Sequence, residues 1–235
     1  MNKSTVREIK ERFDNDVERF SNLDTGQVSA IDAKVSLELL TEASKIIQPN
    51  AQNLLDLGCG AGNYTLKMLT KIANLNCTLV DLSQPMLDKA KERVSAQTNN
   101  SVEIIQGDLR EIELKENHFD IILAGNVLHH LRDDEDWETT FKKLYNILKP
   151  GGCLMISDLI TQEIDAINEY TWNCYGDYLE NIDGKEYRKK VLDYIEKEDS
   201  PRSMTYQLEL MKKIGFRKTE ILHKNMCFGV FGGIK

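Results

Sequence analysis

Leu54-Leu55-Asp56-Leu57-Gly58-Cys59-Gly60-Ala61-Gly62-Asn63-Tyr64 is an apolar run that leads directly into a turn with three glycines. Glycine has no Cβ, so its backbone can adopt left-handed conformations and approach a ligand closely. A strand that passes through such a turn into a helix presents the free N–H groups of the helix start to a bound molecule. We therefore predict a buried strand, a ligand-binding turn and a helix across this stretch.

The glycine spacing argues against a dinucleotide site. The dinucleotide fingerprint is G-x-G-x-x-G, and counting from Gly58 its last position falls on Asn63. Asp56 stands just before the glycines, where its carboxylate would repel a pyrophosphate but attract the ammonium group of an amino-acid-bearing cofactor. The turn therefore favours a cationic ligand.

Short apolar runs alternate with amphipathic stretches after this turn, as in a mostly parallel sheet with helices on both faces. The predicted strands are Asn53–Leu57, Cys77–Val80, Val102–Gln106, Phe119–Ala124 and Cys153–Asp158. The predicted helices are Asn63–Ile72, Gln84–Ala96 and Glu135–Leu148, the last ended by Lys149-Pro150-Gly151-Gly152. These patterns predict an α/β fold.

The segments on either side follow other patterns. Residues 1–50 show only helical spacing, and residues 161–203 combine aromatic and charged residues in a predicted helical insertion. A helix at Met204–Ile214 is followed by two strands, Arg217–Leu222 and Cys227–Ile234. These two strands predict an antiparallel hairpin at the sheet edge and bring the sheet to seven strands.

Composition narrows the classes of function. The net charge of −8 disfavours nucleic acid as a bulk substrate because it repels a phosphate backbone. The five cysteines form no CxxC pair and no zinc spacing, so we predict reduced thiols and no metal. No apolar run approaches the roughly 20 residues of a membrane helix, and no secretory signal is evident, so we expect no membrane partner and a cytoplasmic location.

The glycine turn resembles motif I of class I S-adenosylmethionine-dependent methyltransferases. The resemblance implies a Rossmann-like fold, S-adenosylmethionine as cofactor and a methyltransferase domain over residues 51–235, preceded by a helical lid segment at 1–50. In this family the glycine loop lies against the methionine portion of the cofactor. The implied contacts are Asp56, Gly58, Cys59, Gly60 and Gly62.

Three later segments match the same family in order and spacing. Asp81, at the end of the second strand, would take the ribose hydroxyls, and the following segment with Leu82 and Met86 would pack on adenine. The triplet Gly107-Asp108-Leu109 resembles the adenine-recognition site, and Asn126 lies where the fourth strand passes beside the transferable methyl. All of these are predicted cofactor contacts.

The acceptor side is less specific. In-line methyl transfer depends largely on positioning, and His129 and His130 are the best-placed titratable groups at the end of the fourth strand. We predict both as catalytic residues, with His130 contacting the acceptor; the alternative is that they only cap or pack on a helix start.

Aromatic residues in the insertion and in the lid segment are the other acceptor-side candidates. Tyr170, Trp172 and Tyr175 are predicted to line a pocket for a small-molecule acceptor, although aromatics at such spacing also form cores or dimer contacts. A homodimer is therefore compatible with the sequence. Phe13 and Phe20 are predicted to belong to the lid over the cofactor.

Three other functions remain open at this stage. The C-terminal half also resembles carboxy-S-adenosylmethionine synthases, but the arginine expected to hold the extra carboxylate falls at Leu210. A NAD-dependent dehydrogenase is disfavoured by Asp56 and Asn63. The third alternative is a non-catalytic S-adenosylmethionine-binding protein.

Overall fold

The computed structural model describes residues 3–22 and 27–235. Its strands are β1 (Asn53–Leu57), β2 (Asn76–Asp81), β3 (Val102–Gln106), β4 (Phe119–Gly125), β5 (Leu148–Leu159), β6 (Lys218–Asn225) and β7 (Phe228–Ile234). The helices of the described residues are α1 (Val6–Asp14), α2 (Val17–Ser21), α3 (Ala33–Ile47), α4 (Asn63–Lys71), α5 (Gln84–Ser95), α6 (Asp134–Ile147), α7 (Asp165–Glu198) and α8 (Met204–Ile214), with a short 3₁₀ turn at Leu128–His130.

The strands form one seven-stranded sheet in the order β3-β2-β1-β4-β5-β7-β6. β1 to β5 pair in parallel, whereas β7 runs antiparallel to both β5 and β6. The order reverses between β1 and β4, which is where ligands bind in open α/β sheets, beyond the carboxyl ends of the strands. The predicted Rossmann-like fold with an antiparallel C-terminal hairpin is confirmed.

Two apolar clusters cover the two faces of the sheet. One contains Trp137 and Phe141 of α6 with Phe231 of β7, and the other contains Leu40 of α3 and Met68 of α4. Burial on both faces explains why the central strands are continuous apolar runs, with β1 almost entirely inaccessible to solvent. This packing gives the carboxyl ends of the strands a rigid support.

The prediction at the start of β5 was wrong. Lys149-Pro150-Gly151-Gly152 was expected to be a turn between helix and strand, but β5 already begins at Leu148, which pairs with Phe119. Gly151 adopts a φ of 82°, and residues 149–152 form a bulge opposite Asp120 before pairing with β4 resumes at Cys153. The insertion is helical as predicted, and α7 is interrupted at Asp183 and Gly184, where Gly184 has a φ of 77°.

The outer segments cover the carboxyl ends of the strands. α1 and α2 both contact α5, whereas α3 packs on α4, β5 and β7. A third apolar cluster joins α7 to the sheet edge through Tyr175, Leu179 and Phe228. No helix of the described residues is both long and apolar enough to cross a bilayer.

Candidate functional site

A cavity lies beyond the carboxyl ends of β1, β2 and β4, and residues of α1, α2 and both halves of α7 also line it. Its volume accessible to the centre of a water molecule is about 220 Å³. Of the predicted site residues, those that line it are Gly58, Cys59, Gly60, Asp81, Leu82, Met86, Gly107, Asp108, Leu109, Asn126, His129, His130 and Tyr175. The structure thus brings most of the sequence-predicted site into one space.

The glycine turn forms one wall of this cavity. Gly58, Gly60 and Gly62 have φ values of 66°, 50° and 84°, all in the left-handed region that favours glycine. A Cβ on Gly58 would lie 2.5 Å from a methyl carbon of Val127, whereas a Cβ on Gly60 would meet no atom within 4 Å. Gly60 therefore leaves room for a ligand, and Gly62 supports the turn from behind by capping α4.

Asp56 lies behind this wall and does not line the cavity. Its Oδ2 accepts hydrogen bonds from Thr65 Oγ1 at 2.6 Å and Thr65 N at 3.1 Å, while its Oδ1 is buried without a hydrogen-bond partner. Burial raises the pKa of Asp56 to about 7, with a further contribution from Asp81. The carboxylate therefore braces the glycine turn, and the predicted contact with an ammonium group stays a prediction.

Asp81 joins the end of β2 to the glycine turn. Its two oxygens accept hydrogen bonds from Gly60 N at 2.8 Å and Ser83 N at 2.9 Å. Burial raises the pKa of Asp81, and these backbone donors lower it in part. Each carboxylate oxygen has two lone pairs, so both keep capacity for a ligand hydroxyl. This geometry suits the predicted role with ribose.

The wall formed by residues 107–110 contains a cation that the sequence prediction missed. Arg110 binds both oxygens of Asp108, with Nε–Oδ1 at 3.0 Å and Nη2–Oδ2 at 2.6 Å, and it also contacts Asp136 at 3.1 Å. Burial raises the pKa of Asp108, but the hydrogen bonds from Arg110 outweigh it and hold this pKa below its ordinary value. Asp108 is therefore ionised and held in one orientation at the cavity wall.

The chain turns directly after β4 at Asn126, which has a left-handed backbone conformation. Asn126 has a φ of 53°, and its N–H donates to Ser157 O at 2.7 Å. Gly125 has no room for a side chain, because a Cβ there would lie 2.5 Å from the ring of Tyr64. Tyr64 lines the cavity as well, although the sequence analysis did not single it out.

The two histidines mark one end of the cavity. His129 binds the carboxylate of Asp158 twice, through a short contact from Nδ1 and through its backbone N–H at 3.1 Å. Burial lowers the pKa of His129, but the carboxylates of Asp158 and Asp199 outweigh it and raise it to about 9. His129 is therefore cationic at neutral pH in the absence of other ligands.

His130 faces Asp199 across the same end. Its Nδ1 lies 3.0 Å from Asp199 Oδ1. Both atoms are buried, and neither has a hydrogen-bond partner among the described residues. Asp158 and Asp199 had no recognisable sequence signal, since one ends a strand and the other follows a helix.

The N-terminal segment closes the cavity from above. Phe13 and Phe20 line it, with their ring centroids 5.6 Å apart, and the Phe13 ring lies 6.1 Å from that of His130. Arg12 holds the segment in place through two nitrogens on the carboxylate of Glu198, at 2.9 Å and 2.5 Å. The position of the two phenylalanines fits the predicted lid.

The three aromatic residues predicted for the acceptor pocket lie in different environments. Tyr175 lines the cavity and donates a hydrogen bond to Ser29 O at 3.0 Å. Tyr170 is 68% exposed on the outer surface of α7. Trp172 packs against Tyr175 with ring centroids 5.9 Å apart, but it does not reach the cavity.

The chain is similar in sequence to known proteins. Residues 54–152 match the family model described as a methyltransferase domain. The carboxy-S-adenosyl-L-methionine synthase of Vibrio atlanticus is 29% identical over 82% of this chain and 80% of its own length. A demethylmenaquinone methyltransferase of Listeria monocytogenes is 28% identical over 80% of each chain.

Solved structures show the same fold. Human N-acetylserotonin methyltransferase in complex with S-adenosylmethionine has a TM-score of 0.60 and 20% identity over 86% of this chain. A phosphoethanolamine N-methyltransferase of Haemonchus contortus has a TM-score of 0.57 and 23% identity over 89% of this chain. This chain spans about half the length of both, 52% and 46%. The matching domain and the named relatives support an S-adenosylmethionine-dependent methyltransferase.

Proposed function

We propose that this enzyme transfers the methyl group of S-adenosylmethionine by direct in-line displacement to a small-molecule acceptor held in the cavity. The observation that carries the proposal is that one cavity is lined by two groups of residues: the glycine turn with Asp81 and Asp108, and the histidines His129 and His130. The first group suits an adenosine-bearing cofactor. The second group is the polar end that remains for an acceptor.

The residues of the cofactor wall fit the proposed ligand. Gly60 leaves a space that a Cβ would fill, Asp81 offers free lone pairs towards that space, and Asp108 is kept ionised by Arg110. Leu82, Met86 and Leu109 add apolar surface for a flat ring between the two carboxylates. When bound, the cofactor supplies an activated methyl group on a sulfonium centre.

At the other end the chain positions the acceptor and excludes water. His129 and His130 carry ring nitrogens that orient a hydroxyl, amine or thiol through hydrogen bonds. Phe13, Phe20 and Tyr175 surround that end with apolar surface, which reduces water near the reacting atoms. In-line transfer needs an acceptor atom roughly 3 Å from the methyl carbon, so positioning supplies much of the rate.

A carboxy-S-adenosylmethionine synthase is the second candidate, because a relative of that name is 29% identical over most of the chain. The structure argues against it at one position. Leu210, where the arginine for the extra carboxylate was expected, is 5% exposed in the core beneath α8 and does not line the cavity. No carboxylate bound in the cavity would be held from that position.

The test combines binding with product identification. Calorimetry with S-adenosylhomocysteine should show one site per chain, and a metabolite extract incubated with isotopically labelled methyl donor should give one labelled small molecule. His130→Ala should lower turnover of that acceptor while cofactor affinity stays, whereas His223→Ala, outside the cavity, should change neither. If the wild-type protein does not bind S-adenosylhomocysteine, the proposed function is refuted. Carboxylated cofactor in the purified protein would favour the synthase.

A further inference from the structure

Two imidazoles and one carboxylate converge at the acceptor end of the cavity. His129 Nε2 lies 3.8 Å from Asp199 Oδ1, and His130 Nδ1 lies 3.0 Å from the same oxygen. The three ligand atoms all lie within 4.8 Å of one another. Tetrahedral zinc sites have metal–ligand distances of about 2.0–2.2 Å, which place pairs of ligand atoms roughly 3.3 Å apart. The cluster is close to that spacing.

From this cluster we propose that His129 Nε2, His130 Nδ1 and Asp199 Oδ1 bind a divalent transition-metal ion such as Zn²⁺. Two histidines with one carboxylate are an established ligand set for such ions, with a further position left open. The sequence predicted no metal, because these ligands lie far apart in the chain and follow no Cys or His spacing.

The surroundings of His129 are those of a metal-binding histidine. Asp158 accepts from Nδ1 of this imidazole, and this contact fixes the ring so that Nε2 points away from Asp158, where an ion would bind in place of the Nε2 proton. A carboxylate behind a ligating histidine orients the ring and increases its basicity. The backbone contact from His129 N to Asp158 at 3.1 Å holds the pair together from a second direction.

The third ligand is also held in place. Ser200 N donates to His129 O at 2.7 Å, which ties the chain beside Asp199 to the histidine turn. Lys3 and Arg132 donate to the backbone carbonyls of Asp199 and Glu198, which holds this part of the chain in place. The buried His130 Nδ1 and Asp199 Oδ1 have no hydrogen-bond partner among the described residues, and a shared ion would satisfy both.

The cluster has carboxylates close to it, and the cations Arg12 and Arg132 also act on Asp199. Glu198 is neutralised by Arg12 through a bidentate contact, so Asp158 and Asp199 are the carboxylates that face the two imidazoles. All three proposed ligands line the cavity, so the open coordination position faces the space that holds the acceptor if the proposed function is correct. The metal site itself is independent of that function.

The test is a metal titration of the full chain after treatment with a chelator. Co²⁺ should bind at one equivalent per chain with the strong visible absorption of a tetrahedral or five-coordinate ion, and Zn²⁺ should displace it. Asp199→Asn and His130→Gln should each abolish this absorption, and Asp158→Asn should weaken Co²⁺ binding roughly 10- to 100-fold. Circular dichroism checks that each variant is folded.

His223 and Asp32 provide the matched control, because His223 Nε2 contacts Asp32 Oδ2 at 2.9 Å outside the cavity. His223→Gln should leave the Co²⁺ spectrum unchanged. A wild-type spectrum that matches aqueous Co²⁺, or variants at residues 130 and 199 that bind Co²⁺ like the wild type, would overturn the metal site. Calorimetry with S-adenosylhomocysteine on the same samples tests the methyltransferase function separately.

Discussion

The burial of Asp56 predicts that its contribution to stability changes with pH in the direction opposite to that of most carboxylates. Its side chain is 1% exposed, one of its oxygens has no hydrogen-bond partner among the described residues, and burial raises its pKa to about 7. The carboxyl group of an unfolded chain has its ordinary pKa of 3.8. The folded state therefore holds a proton on Asp56 at pH values where the unfolded state has already released it.

The consequence is a loss of stability as the pH rises. Below about pH 4 the group is protonated in both states, and above about pH 7 it is ionised in both, so the cost of the buried charge develops between these values. With about 1.4 kcal/mol for each pKa unit, the contribution of Asp56 to the free energy of unfolding falls by up to roughly 4 kcal/mol over this window.

Asp56→Asn removes the charge and keeps the shape. The amide oxygen can accept from Thr65 as Oδ2 does, while the amide NH₂ at the position of Oδ1 has no partner and costs about 1–3 kcal/mol at every pH. The free energy of unfolding of the variant relative to wild type should therefore rise steadily from pH 4 to pH 8. At pH 8 the variant should be at least as stable as wild type.

The assay is urea unfolding at a series of pH values, without cofactor, followed by tryptophan fluorescence. Asp120→Asn is the control with the opposite sign. Burial raises the pKa of Asp120, but Lys149 and the N–H groups of Asn53 and Gln52 outweigh it and lower this pKa below 3.8. Asp120→Asn should have a lower free energy of unfolding than wild type at neutral pH. The difference between the two should become smaller as the pH falls through the acidic range. Parallel pH profiles for wild type and Asp56→Asn would refute the reasoning.

Three further predictions follow from single contacts. Gly60→Ala should weaken S-adenosylhomocysteine binding at least roughly 10-fold in calorimetry, because its Cβ would occupy ligand space. Gly151 also has a positive φ and open space around it but lies outside the cavity, so Gly151→Ala should cost only about 1–2 kcal/mol of stability. Equal affinities of the two variants for S-adenosylhomocysteine would contradict this. Arg12→Ala should speed S-adenosylhomocysteine dissociation in stopped-flow measurements because it frees α1, while Arg7→Ala removes only an exposed pair with Glu11 and should have no effect. Iodoacetamide at pH 7.5 should modify Cys174 first in mass spectrometry, because the other four cysteines are buried; faster modification of any of those four would oppose it.

The central strands were predictable because a parallel sheet buries both faces of each strand. The bounds of β1 and β3 agree with the sequence prediction to the residue, as do those of α8, which ends at Gly215 with a φ of 127°. In each case the local sequence and the tertiary structure favour the same state. At the start of β5 they conflict in part, because Pro150 and two glycines favour a turn, while Leu148 and Cys153 on either side of them both pair with β4.

The cofactor side of the site was predictable for a similar reason. The glycines and Asp81 lie within short sequence motifs whose geometry is largely local. The aromatic residues of α7 were harder, because helical spacing does not say which side of the helix faces the sheet. Tyr170 and Tyr175 are five positions apart, so at about 3.6 residues per turn they point in different directions, and only Tyr175 reaches the cavity.

The histidine end of the cavity could not be predicted, because it is assembled from three distant parts of the chain. Arg12 of the lid segment binds Glu198, Ser4 N donates to Lys197 O at 2.9 Å, and Ser200 N donates to His129 O at 2.7 Å. The segment that closes the cavity and the segment that carries Asp199 therefore hold each other against the histidine turn. Deleting residues 1–25 would disturb the enclosure of the cavity and the position of Asp199 together, because it removes α1 and α2 with all their contacts. Arg12→Ala removes one side chain and leaves the backbone contact of Ser4 in place. It therefore tests the contact of α1 with Glu198 while the segment that carries Asp199 is still held.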